Sequence, residues 1–224
     1  MVKPRNPRTD KNQEAPRTAR PTAPFKRAHK NSHSASRPAA PSAKKDARPE
    51  SKVACPVPGA QITRRAADRL RDGYLWVYTS DIEAIATGEG EPPALLPVAD
   101  SRGLLLGTAL YSPASQIALR MISRKALDEA AWLELLADRL RVAIARRKPL
   151  LNDETNACRL CFSEADQLPG LVVDKYGDLV ILQLLSKGLD SAAVREACVR
   201  VLREELAPAS ILERPDPRMR ELVG

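Results

Sequence analysis

Between Arg159 and Tyr176 the chain reads RLCFSEADQLPGLVVDKY, a stretch that leaves its backbone little choice. Pro169 fixes its own φ and lacks an N–H, and Gly170 can take backbone angles closed to other residues, so Leu168-Pro169-Gly170 marks a turn. Glu164 and Asp166 lead into it. The apolar run Leu171, Val172 and Val173 leaves it as a strand that ends at Asp174, with Tyr176 beyond. The acids are therefore expected at a strand edge, beside a turn and outside any regular core. Residue types alone leave two readings open, turn-capping with surface solvation or the wall of a polar cleft.

The formal charge of +8 over 224 residues is unevenly spread. Residues 1–52 hold 14 lysines and arginines against four acids, eight of the 19 prolines, and Phe25 as their only aromatic, which leaves residues 53–224 at −2. A segment with so little to bury cannot offset the entropy of ordering, so residues 1–57 are expected to form a disordered, basic, Pro/Ala/Ser-rich tail. Such a tail suits an electrostatic arm that lands on phosphates or a solubilising extension. An organelle transit peptide is the third reading, and its prolines argue against the amphipathic helix such peptides form.

The sequence has no apolar run of about 18 residues and no signal-like start, so a cytoplasmic protein without membrane contact is expected. Cys158 and Cys161 form a lone CxxC, Cys55 and Cys198 stand apart, and the only histidines, His29 and His33, lie in the tail. No metal site can be assembled from these, and all four thiols are expected to be reduced.

Thr63 should cap a helix over 64–72 that buries Ala66, Ala67 and Leu70 and turns Arg64, Arg65, Arg69 and Arg71 outward. A strand over 74–78 with Tyr74, Trp76 and Tyr78 follows. Aromatics beside arginines suit bases and phosphates, while a small β core accounts for each ring singly. Strands over 95–100 and 104–111 flank a Ser-Arg-Gly turn, and alternation over 116–122 sets Gln116 and Arg120 on a face opposite Leu119 and Met121. These elements fit a small barrel. Asp128 should cap a helix to about residue 148 whose Trp132, Leu135, Leu136, Leu140, Ala143 and Ile144 make one stripe, stopped by Pro149. Strands over 158–163, 168–174 and 179–184, a helix over 190–206 and a short strand over 211–213 complete the pattern.

Three motifs, in order, resemble bacterial methyltransferases that use S-adenosylmethionine to methylate a cytosine C5 in large-subunit ribosomal RNA. They are Tyr111-Ser112-Pro113-Ala114-Ser115-Gln116-Ile117 with Arg120, then the pattern E-x-D-x-L-P-G-L-x-x-D-x-Y from Glu164 to Tyr176, then Glu213-Arg214-Pro215-Asp216 with Arg220. The match spans roughly residues 60–224. Gln167 stands where that family often has glycine before the Leu-Pro-Gly turn, and Glu221-Leu222-Val223 stands where it continues Glu-Gly-Leu.

The resemblance implies an α+β chain with a PUA-like β-barrel domain for RNA over 58–125, a connecting helix over 126–150 and a small α+β (EEHEE-like) central domain over 151–224. The RNA-binding candidates are Arg64, Arg65, Arg69, Arg71, Trp76, Ser115, Gln116 and Arg120. A cleft or domain interface would take Glu164, Asp166, Pro169, Gly170, Asp174, Arg214, Asp216 and Arg220. No glycine-rich strand-to-helix turn for an adenosyl cofactor occurs, and no residue is assigned a catalytic role. S-adenosylmethionine is thus expected for the full-length family and not for this chain alone. The chain reads as the RNA-recognition part of such an enzyme from a truncated or split frame, with ribosomal RNA and a missing C-terminal methyltransferase domain as partners. A free-standing PUA-type RNA-binding protein is the alternative.

Overall fold

The computed structural model describes residues 59–88, 90 and 93–215. The tail at 1–57, Asp216 and Arg220 lie outside the described residues. The first domain runs β1 (Gly59–Ile62), α1 (Arg64–Arg71), β2 (Trp76–Tyr78), β3 (Ile82–Ala86), β4 (Leu95–Ala99), β5 (Leu105–Tyr111) and β6 (Ile117–Ser123). Its strands form one six-stranded sheet in the order β2-β6-β5-β4-β1-β3, curled into a half-barrel. The β1·β4 pair is parallel and the remaining pairs are antiparallel.

The Thr63 hydroxyl accepts from the Ala66 amide at 3.2 Å, and this cap starts α1 where the sequence places it. Ala66, Ala67 and Leu70 of α1 pack with Ile62, Val77, Leu96, Val98, Leu119 and Met121 as the core of this domain. The turn after β4 is organised by Asp100. Its carboxylate accepts from the amides of Arg102 at 2.9 Å and Leu104 at 3.0 Å and pairs with Arg71 at 2.7 Å. Burial pushes the Asp100 carboxyl up, but these donors outweigh it and bring it from 3.8 to about 2. A carboxyl lowered on folding contributes stability above its unfolded value, and that contribution is lost as pH falls through about 2.

The second domain runs α2 (Glu129–Arg147), β7 (Ala157–Phe162), β8 (Leu171–Tyr176), β9 (Leu179–Leu184), α3 (Ala192–Leu206) and β10 (Ser210–Glu213), with sheet order β10-β9-β8-β7. Three strands precede α3 and one follows it. β7, β8 and β9 form an antiparallel meander, and α3 is the crossover that returns the chain to pair β10 parallel to β9. Ser191 caps α3, accepting from the Val194 amide at 3.2 Å, so this helix starts slightly later than its periodicity suggests.

The helix that connects the two sheets also packs its apolar stripe into the second core, as its spacing predicts. Trp132, Leu136, Leu140, Ala143 and Ile144 of α2 are buried against Leu160, Val173, Leu182, Val201 and Leu202 in the second core. Leu110 and Ile122 of the first sheet belong to this same core. The domains approach so closely that a Cβ on Gly188 would lie 2.8 Å from the Leu110 Cβ. β6 is consequently covered on both faces, with Leu119 and Met121 in the first core and Ile122 in the second.

Candidate nucleic-acid interface

The Glu164–Asp166 segment is a short 3-10 turn (Ser163–Asp166) bracketed by two non-glycine residues in the left-handed region, Ser163 at φ +48° and Gln167 at φ +60°. The Ser163 carbonyl accepts from the Leu168 amide at 3.1 Å, and its hydroxyl accepts from the Gly170 amide at 2.8 Å. Gly170 itself sits at φ +83°, where a Cβ would meet the Ser186 Oγ at 2.8 Å, so the Pro-Gly turn requires glycine for both angle and space. Gln167 occupies a conformation that glycine adopts without penalty and other residues reach at a cost of about 1–2 kcal/mol. Gln167→Gly is therefore expected to stabilise the protein by about 0.5–1 kcal/mol after the extra freedom of the unfolded chain is allowed for, read as a higher urea midpoint with unchanged slope.

Of the two acids expected outside the core, Glu164 is half-buried and Asp166 departs from that expectation. Asp166 is 5 % exposed. One of its oxygens accepts from the Phe162 amide at 2.7 Å and the other pairs with Arg147 at 2.9 Å, while Arg147 also donates to the Leu160 carbonyl at 3.1 Å. Asp166 thus ties the end of α2 to the end of β7. Asp174, also buried, accepts a two-pronged contact from Arg159 at 2.7 and 3.0 Å. Pro169 and Gly170 are buried, and Arg214 is exposed with its amide bound to the Leu182 carbonyl.

Arg120 requires a second correction. Alternation places it on an outward polar face, yet it is buried, because the second domain covers that face of β6. Its Nη1 donates to the Ile117 carbonyl at 2.9 Å. Burial lowers the Arg120 guanidinium and the nearby Glu164 charge raises it, with burial the larger effect. Ser115 is buried as well, its hydroxyl accepting from the Ile117 amide and its carbonyl from the Thr79 hydroxyl, whereas Gln116 is exposed. Of the helix arginines, Arg64 and Arg65 are exposed, Arg69 is held by Asp81, and Arg71 is held by Asp100 and Asp68.

The fold also brings together residues of separate motifs. Trp76 of β2 lies directly across from Arg120 of β6, and its indole Nε1 donates to Glu164 Oε1 of the second domain at 3.1 Å. Ser163 donates to the other oxygen of Glu164. Two residues earlier, Phe162 is half exposed with the Arg159 guanidinium 5.1 Å from its ring centre. The roles of Arg147, Arg159, Ser163 and Phe162 escaped sequence reasoning. Arg147 rests on a partner distant along the chain, Arg159 and Phe162 on a bulge between Arg159 and Cys161 that puts them on one face, and Ser163 on a positive φ that its residue type does not announce. Burial pushes the thiols of Cys161 and Cys198 up to about 12, which leaves both protonated and inert near neutrality. Among the described residues no cluster of His, Cys, Asp and Glu could hold a metal ion, and no helix is long and apolar enough to cross a membrane.

A curled sheet with one short helix, packed against a four-stranded α+β layer, defines an α+β protein, and residues 60–124 match the model of the PUA-like domain. The chain is also similar to ribosomal RNA large subunit methyltransferases. It is 33 % identical over 152 residues to ribosomal RNA large subunit methyltransferase I of Erwinia tasmaniensis, covering 67 % of this chain and 37 % of the relative. It is 36 % identical over 132 residues to a ribosomal RNA large subunit methyltransferase of Deinococcus radiodurans, covering 55 % and 31 %. The chain thus spans under two fifths of the length of these relatives. Among solved structures, a candidate methyltransferase complexed with SAH superposes with TM-score 0.58 at 18 % identity, over 71 % of this chain and 40 % of that one. A candidate SAM-dependent methyltransferase from Streptococcus mutans gives 0.57 at 18 % identity, over 69 % and 40 %. At that identity the likeness speaks for the fold.

Proposed function

We propose that residues 59–215 are the RNA-recognition part of an S-adenosylmethionine-dependent ribosomal RNA cytosine-C5 methyltransferase. The observation that carries this reading is the PUA-like match at 60–124 in a chain that is 33 % identical over 152 residues to a ribosomal RNA large subunit methyltransferase I. In this reading the first domain meets RNA through Arg64, Arg65, Trp76 and Gln116, all exposed. The Arg147–Asp166 and Arg159–Asp174 pairs, each anchored on a buried carboxylate, brace the second domain beside it. S-adenosylmethionine is the methyl donor and is held outside residues 59–215. Cytosine-C5 chemistry needs a thiolate to attack C6, and the buried, protonated Cys161 and Cys198 are unsuited to that task.

The test is a filter-binding titration of the full chain against a large-subunit ribosomal RNA fragment across a range of salt. Arg64→Gln/Arg65→Gln is expected to weaken binding at every salt concentration and to flatten the dependence of log K on log salt by about 2. An unchanged slope and affinity would remove Arg64 and Arg65 from the RNA contact, and loss of all binding on deletion of residues 1–57 would remove the role from the folded domains. Calorimetric titration with S-adenosylmethionine should give no saturable heat, and stoichiometric binding would overturn the placement of the cofactor.

A further inference from the structure

We infer that Trp76 and Glu164 together form a site for one unpaired RNA nucleotide at the seam between the two domains. The base stacks on the indole while an exocyclic amino group donates to the carboxylate. This narrows the RNA-binding reading and rests on it.

β2 is the end strand of its sheet, and Trp76 and Tyr78 alternate with the buried Val77, so both rings stand on the outer side. Trp76 is 39 % and Tyr78 41 % exposed. The hydrogen bond from the indole to Glu164 fixes the Trp76 ring while leaving part of its surface open, which is the form of a preorganised stacking platform. Two residues before Glu164, Phe162 is half exposed beneath the Arg159 guanidinium, which Asp174 holds in place, and adds a second aromatic ring on the second domain. Arg120, across from Trp76 and within electrostatic reach of Glu164, adds positive charge that offsets the repulsion of a carboxylate for the phosphate chain.

Each Glu164 oxygen accepts one hydrogen bond in this arrangement and keeps further acceptor capacity. An ionised carboxylate accepts only. It therefore favours guanine, cytosine or adenine, which carry an amino group, over uracil, whose single N–H lies between two carbonyls. Neither residue forms this site alone, since the stacking surface comes from the first domain and the acceptor from the second.

Fluorescence anisotropy of the full chain with short single-stranded RNAs that differ only at one central base tests the site, with thermal melts to confirm that each variant folds. Wild-type protein should prefer an amino-bearing base to uracil. Trp76→Ala should weaken binding on the order of 5- to 150-fold, the range of one lost base stack, while Trp76→Phe keeps most of the affinity. Glu164→Gln, which both donates and accepts, should level the preference. Failure of wild-type protein to bind any of the RNAs would overturn the RNA-binding reading itself. Binding by wild type with Trp76→Ala unaffected would sink the nucleotide site alone, and an unaltered base preference in Glu164→Gln would remove Glu164 from it.

Discussion

Gly107→Ala is expected to destabilise the protein by at least about 3 kcal/mol and to lower its melting temperature by about 6–12 °C, the scale for a chain of this size. Gly107 lies in β5 at φ +144°, a left-handed angle for a position that pairs with Val98 of β4. A Cβ there would come within 1.9 Å of the Ser123 carbonyl oxygen and 2.9 Å of the Arg124 Cα. Both are backbone atoms held by the β5·β6 ladder, whose register shifts just beyond, between Thr108 and Ala109. Neither neighbour can swing aside as a side chain would, so strand and partner must separate. Gly103→Ala is the matched control. It also has a positive φ, +80°, but a Cβ there meets nothing within 4 Å, so only the backbone cost of about 1–2 kcal/mol applies. Equal losses in the two variants would show that conformation, and not the close approach, explains Gly107.

Arg147→Met is the second substitution expected to cost heavily, about 3–5 kcal/mol, because it strips a buried carboxylate of its counter-charge. The Asp166 side chain is 2 % exposed and would keep only the Phe162 amide as partner. The variant also leaves the Leu160 carbonyl without its guanidinium donor. Adding Asp166→Asn should recover about 2 kcal/mol or more, since a neutral amide can still accept from Phe162 without a buried charge. Urea unfolding of the two single variants and the double variant closes the cycle. A loss below about 1 kcal/mol in Arg147→Met would show that solvent reaches Asp166 and that the pair ties nothing together.

Much of the fold was legible because it is written in local pattern. Thr63 and Asp128 cap helices where their hydroxyl and carboxylate can reach amides three residues on, and both do so. The stripe from Trp132 to Ile144 buries as its helical spacing requires. The β8·β9 hairpin closes at Gly177-Asp178, and β9 spans the residues its apolar run marks. Gln167 departs from the resembling family at this position, and its φ of +60° supplies the physical reason that glycine suits it.

The candidate site was legible only in part. Residue type and spacing drew attention to Trp76, Arg120, Glu164 and Asp166, but on three separate segments with no sign of which would meet. Periodicity placed Arg120 on a polar face, and within its own sheet that is where it lies. What buries it is the second domain, which arrives from later in the chain to cover β6. Asp166 looked solvated because its neighbours are turn residues, and the guanidinium that holds it comes from α2, nineteen residues earlier. The amino-acid sequence by itself determined caps, turns, apolar faces and the α+β class, because each depends on residues within a few positions of one another. Tertiary structure alone decided which charged groups are buried, which arginines remain exposed and that Trp76 meets Glu164, because those outcomes depend on how two separately formed sheets pack across one shared core.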